Sequence, residues 1–177
     1  MTKNASIVLP PALADDGELI NVIVETPRRC RNKFKFDEKL GLFRLNSVLP
    51  AGAAFPYDFG FVPRSKAADG DPIDVLLLMD EPAFVGCLVV ARLIGVIEAE
   101  QTEKGKKIRN DRLVAVAVDA HDYRDVRGIR DINDNLLQEL EHFFVSYNNA
   151  KGKEFKFLRT HGPKHARKLL DAALRHT

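Results

Sequence analysis

Asp69, Asp71 and Asp74 fall within six positions of the stretch ADGDPIDVLLLMDEP and abut an apolar run from Ile73 to Met79. Carboxylates that close repel one another, and a buried strand is a poor place for them unless something positive neutralises them. On an extended chain, residues two apart point to one side, so Asp69 and Asp71 can face one pocket. Gly70 permits a tight turn, Pro72 fixes φ just before the strand, and Asp74 stands at the strand mouth. Oxygen-only, carboxylate-rich ligation suits hard cations such as Mg²⁺ or Mn²⁺. The same residue types also fit an acidic turn that merely caps a strand.

Other chemistries find less support. An EF-hand would need glycine where Asp74 stands, and Ile73 would fall on a ligand position. The patterns GxxxxGK[ST], GxSxG, HExxH and GxGxxG do not occur. His161 and His165 are four apart, a spacing that would suit zinc on one helix. Gly162 and Pro163 intervene, so His161 is expected to precede the helix, which argues against zinc ligation.

The elements that must carry these residues are β-rich. ELINVIVETP reads as a strand ended by Pro27, and NKFKFDEKLGLFRL as a hairpin turning near Gly41. PAGAAFPYDFGFVP reads as a loop whose aromatics pack down. Strands follow over Ile73 to Met79 and Cys87 to Glu98; the turn QTEKGKK then leads into RLVAVAV. The last third carries two helical patterns, INDNLLQELEHFFVSYNNA behind an Asn or Asp cap and GPKHARKLLDAALRH with Pro163 in its first turn. The expected fold is α+β, mostly β: a small antiparallel barrel with C-terminal helices packed on it.

Composition bounds the rest. With 177 residues, 45% hydrophobic and 29% charged, the chain is most simply one domain, residues 1–177, in which 1–17 form an N-terminal extension. A net charge of +2 and a pI near 8.5 do not argue for nucleic acid. The longest apolar stretches are too short or too interrupted for a bilayer span, and the N-terminus lacks the apolar run of a signal peptide. Cys30 and Cys87 form no CxxC pair, which favours a reduced, cytoplasmic chain.

The spacing of DGDPIDVLLL, with ETP and NKFKFD upstream and HFFVSYNNAKGK downstream, resembles the soluble family I inorganic pyrophosphatases over most of the chain. The resemblance implies a five-stranded OB-like barrel and Mg²⁺-dependent hydrolysis of inorganic diphosphate. It implies that Asp69 and Asp74 hold metals and that Asp71 accepts the proton of the attacking water. By the same likeness Glu25 is an acidic site residue, while Lys33, Arg112 and Tyr147 bind phosphate. A homo-oligomer, commonly a hexamer in bacteria, is also implied.

Several positions depart from the family pattern. Ser47 stands where a phosphate-binding arginine is expected, and Phe55 and Phe59 replace tyrosines. Thr102 and Asn110 replace metal-binding aspartates, Lys35 a glutamate and Asn148 a lysine. Lys35 lies two residues from Lys33, so it is expected to face the same pocket, bind substrate and replace the charge missing at Ser47. Glu103, beside Thr102, is a substitute metal ligand, whereas strand alternation turns Asp111 away. These changes predict an intact central metal site and a weakened outer one. They also leave open another phosphoanhydride as substrate, such as a nucleoside polyphosphate or short polyphosphate, or a homologue that binds metal and phosphate without turnover.

Overall fold

The computed structural model describes residues 8–175, the Glu103 side chain excepted. In chain order the strands are β1 (Ile20–Thr26), β2 (Asn32–Asp37), β3 (Leu42–Val48), β4 (Asp58–Phe61), β5 (Asp74–Leu78), β6 (Leu88–Glu103), β7 (Lys106–Arg109) and β8 (Arg112–Ala117). Helix α1 (Asp134–Asn149), β9 (Glu154–His161) and α2 (Pro163–Leu174) complete the chain.

Strands β1, β4, β5, β8 and β6 pair in that order, and β6 returns to β1, so five strands close a ring. The expected OB-like barrel with C-terminal helices is borne out. One neighbouring pair is parallel: β5 runs with β8, Asp74 opposite Arg112. The long excursion through β6 and β7 lies between them and returns the chain in the same direction, as a parallel pair requires. The ring strands β4 and β8 are buried at every position, which a pattern of strict alternation would not produce. Val75, Leu76, Leu77 and Leu78 of β5 and Leu113 to Val116 of β8 form the middle of one continuous core.

Three strands lie where the sequence reading placed turns or helix. β4 sits inside the Pro- and Gly-rich segment taken as a loop. Gly60 belongs there because a Cβ would come within 2.2 Å of the Ile23 carbonyl oxygen on β1. β6 runs on through Glu103 and turns back as β7 across Lys104 and Gly105, both at positive φ (50° and 77°), the geometry of a two-residue hairpin turn. β9 interrupts the helical third and pairs with β6. Its signal was the alternation in EFKF, where Phe155 is buried and its ring lies 5.6 Å from Phe144 of α1.

The helices begin where expected. Asn133 caps α1 by accepting from the Asn135 N–H, and Pro163 opens α2. Leu140, Phe144 and Asn148 form the buried stripe of α1. The β2–β3 hairpin forms its own two-stranded sheet and turns at Gly41 (φ 64°). It is held to the barrel by side chains: Phe34 N–H donates to Thr26 Oγ1 (3.2 Å), and Phe36 N–H to Glu25 Oε1 (2.7 Å). Phe36 also stacks on Phe61, 6.0 Å between ring centroids. The described part of the N-terminal extension lies on the barrel, with Ala12 buried and its carbonyl accepting from Asn21 N–H.

Candidate active site

Between the hairpin, the mouth of β5 and the end of α1 lies a cleft of about 790 Å³. Asp69, Asp71, Asp74, Glu25, Lys33, Lys35, Arg112 and Tyr147 all line it. The ring supplies the acids. Asp69 and Asp71 sit on a turn closed by the Ala67 N–H to the Asp71 carbonyl (2.8 Å) and by the Asp71 N–H to Asp69 Oδ1 (3.1 Å). Gly70 makes that turn at φ 90°, a conformation most L residues avoid. Asp74 follows as the first residue of β5, with Ile73 buried behind it.

Burial raises the Asp74 carboxyl above its ordinary value; Arg112 and Lys33 pull it down, and the charges of Asp69 and Asp71 push it back up. Desolvation also raises Asp69, against the N–H it accepts from Asp71. Glu25 is pushed up to about 7, chiefly by burial, which outweighs the Phe36 N–H it accepts; the charge of Asp74 adds to the rise. The cleft floor therefore holds more negative charge than it can comfortably ionise. An all-oxygen donor set in that condition fits a hard divalent cation.

Two of the cations arrive from outside the ring. Lys33 and Lys35 come from β2, and the Lys35 ammonium sits 2.8 Å from Asp71 Oδ2. Burial is the largest influence on Lys35 and disfavours its charge, but the hydrogen bond to Asp71 together with the charges of Asp71, Glu25 and Asp74 keeps the ammonium above its ordinary value. Arg112 is 4% exposed, donates from one terminal nitrogen to the Asn110 carbonyl (2.8 Å) and lies 4.2 Å from the centre of the Phe144 ring. Its Nε is buried without a hydrogen-bond partner among the described residues. Tyr147 accepts from the Lys151 ammonium; burial opposes ionisation of the phenol, but Lys33 and then Lys151 outweigh it.

Lys151 was missed in the sequence. From just past the end of α1 it reaches Ser47 Oγ (3.3 Å) as well as Tyr147. It thus brings a positive charge to the place where Ser47 lacks one, a role the sequence reading gave to Lys35. Asn148, one turn earlier, is 3% exposed and donates back to the Phe144 carbonyl (2.8 Å). The legible signal was the KGK that follows SYNNA.

Phe55 and Phe59 do not form a wall of the cleft. They are 1% and 2% exposed and pack with Phe143, Phe144 and Tyr147 behind Lys33, whose ammonium lies 5.3 Å from the Phe59 ring centre. Gln101, and not Thr102, lines the cleft, and its Oε1 accepts from the Asn110 amide (2.9 Å). Asp111 lies between β7 and β8 and does not line this cleft; it borders a smaller adjoining cavity with Asp69 and Asp74 and accepts from Ala99 N–H (3.0 Å) and Arg109 (2.9 Å). Glu103 ends β6 opposite Lys106; its side chain lies outside the described residues. His161 does precede α2, yet its ring stacks on that of His165 with centroids 4.1 Å apart.

A family model described as inorganic pyrophosphatase matches residues 22–177. A protein of that name from Geobacillus stearothermophilus is 31% identical over 162 residues, 92% of this chain and 96% of its own. One from Synechocystis sp. is 38% identical over 140 residues, 79% and 80% of the two chains. The crystal structure of the inorganic pyrophosphatase from Thermus thermophilus superposes with a TM-score of 0.87 at 30% identity, covering 97% of this chain and 98% of that one.

Proposed function

Since the chain belongs to the inorganic pyrophosphatase family, we infer that it hydrolyses inorganic diphosphate to two phosphates with Mg²⁺, or another hard divalent cation, as cofactor. The observation that carries this reading is the division of one cleft into an acidic floor and a cationic rim. Asp69 and Asp74 would hold the cation, with Asp71 beside them. Bound there, it would lower the pKa of coordinated water and screen the charge of the substrate.

The chain's own residues divide the remaining work. Asp71 accepts the proton of the attacking water. Lys35, which now occupies Asp71, moves to a phosphate oxygen when the anion enters, and so frees the base as substrate arrives. Lys33, Arg112 and the Tyr147 hydroxyl bind phosphate oxygens and stabilise charge on the leaving phosphate. Glu25 acts at one remove by clamping β2, which carries both lysines. Phosphate release from diphosphate, compared between the wild type and Asp71→Asn, tests the assignment. A loss of about 100-fold or more supports a base at this position. An unchanged rate removes Asp71 from that role.

The Gln101–Asn110 amide pair supports a weakened outer metal site, since two neutral amides stand at that edge of the cleft. Calorimetric Mg²⁺ titration should find fewer tight sites in the wild type than in a Gln101→Asp/Asn110→Asp variant. The cleft also extends past Lys39, Arg44 and Lys153, which favours a short polyphosphate or nucleoside polyphosphate as a second substrate. A substrate panel at equal Mg²⁺ decides between them.

We place the protein in the cytoplasm, which agrees with Cys30 and Cys87 both being free. No helix among the described residues is long and apolar enough to cross a membrane. Residues 1–177 are read as one catalytic domain and a homo-oligomer, with a hexamer as the first candidate. The exposed Leu42, Leu45 and Val48 of β3, with Phe84 and Leu88, favour self-association. Light scattering on the purified protein measures its mass directly.

A further inference from the structure

Away from the cleft, three potential metal ligands converge from different elements. Glu98 lies on β6, His161 closes β9, and His165 stands in the first turn of α2. Glu98 Oε1 is 3.1 Å from His165 Nε2, and Oε2 is 3.6 Å from His161 Nε2. One ligand atom from each residue lies within 4.8 Å of the other two. Zinc bonds of about 2.0–2.1 Å put neighbouring corners of a tetrahedron roughly 3.3–3.4 Å apart. Each imidazole lies near that distance from one of the two carboxylate oxygens, and a small turn of the part-exposed imidazoles brings both within reach of an ion held by one oxygen. Glu98 is 6% exposed and its place is fixed, whereas the two imidazole side chains are 32% and 41% exposed and open to an arriving ion.

We propose that Glu98, His161 and His165 form a binding site for a borderline transition metal of the Zn²⁺ type, separate from the hard-cation cleft. Two imidazoles and one carboxylate are the donor set that Zn²⁺ prefers to Mg²⁺, and three protein ligands leave a fourth position for water. The carboxylate now accepts from Arg159 (3.1 Å) and sits 3.3 Å from Arg109. Neither contact closes the site. Arg159 is 69% exposed and can turn into solvent, and Arg109 keeps Asp111 at 2.9 Å. The ion takes the place of the hydrogen that joins His165 to Oε1, and Oε2 is left to Arg159. It thereby staples β6, β9 and α2 at one point.

The test uses the full-length protein in excess Mg²⁺, which keeps the carboxylate cleft filled, with Zn²⁺ as calorimetric titrant and Co²⁺ as spectroscopic probe. The wild type should bind one equivalent of Zn²⁺ that His161→Ala/His165→Ala lacks, and Co²⁺ should give intense visible bands of a tetrahedral site. Each single variant should weaken that equivalent at least tenfold. Equal Zn²⁺ stoichiometry and affinity in wild type and double variant overturns the proposal. Should the double variant fail to fold by circular dichroism, His165→Ala alone decides: Co²⁺ bands unchanged from wild type overturn the site, and their loss supports it. Diphosphate hydrolysis is not the readout, so the outcome stands independently of the catalytic reading.

Discussion

Lys151 touches both Ser47 and Tyr147, so on the proposed reading of the cleft its ammonium would serve the phosphate side. A charge-assisted hydrogen bond of about 1.5–3 kcal/mol makes Lys151→Ala about 10- to 100-fold slower in kcat/KM for diphosphate, mostly through KM. Steady-state kinetics at saturating Mg²⁺ measures this; an unchanged KM removes Lys151 from substrate binding. Glu25 makes a prediction about stability. Burial raises its folded value to about 7 from an ordinary 4.5, so between those values the folded state holds a proton that the unfolded state has released. Metal-free stability should therefore fall as pH rises through this window, by up to about 3 kcal/mol from Glu25 alone. Asp69 and Asp74, also raised, act in the same direction. Thermal melts in chelator from pH 4.5 to 7 should show the fall, and Glu25→Gln should flatten it.

Gly70 shows how an element places residues that cannot place themselves. Its φ of 90° sets the turn between Asp69 and Asp71, and among the described residues no atom beyond its two chain neighbours lies within 4 Å of where a Cβ would be. Gly70→Ala therefore meets backbone strain alone, on the order of 1–3 kcal/mol. Tight Mg²⁺ sites should be weakened or lost in calorimetry while far-ultraviolet dichroism stays unchanged. β9 is the opposite case, an element held by packing. Phe155 is 6% exposed against Phe144, so Phe155→Ala should cost about 3–5 kcal/mol, read as a lower denaturation midpoint. What the sequence disclosed follows the same division. Asp69, Gly70, Asp71 and Asp74 were legible because local turn chemistry fixes them. β4 and β9 were not, because Gly60 and the short EFKF alternation acquire meaning only against β1 and β6. Lys151 escaped notice because its function depends on Ser47, which is remote in sequence. The stacked His161 and His165 were read against a single helix, whereas a strand end folded onto a helix start brings them together.

Across the whole molecule the residues of the cleft belong to structures of unequal firmness. Asp74 and Arg112 are set in the closed ring, while Lys33 and Lys35 ride on a hairpin whose strands, among the described residues, pair with each other and with no ring strand. Hydrogen exchange should find the amides of β5 and β8 the slowest, and those of β2 and β3 markedly faster. Equal protection in hairpin and ring would mean that the hairpin is anchored by more than Glu25, Thr26 and Phe36. The parallel pairing of β5 with β8 has a further consequence, for the emergence of activity during folding. Asp74 and Arg112 face each other at the first rung of that ladder, yet they are far apart along the chain. No local hairpin can join them, and such distant contacts form slowly. A chain still growing on the ribosome has no assembled centre until β8 has emerged and docked. On refolding, catalysis should return with the slowest step of barrel closure, well after most of the strands have formed.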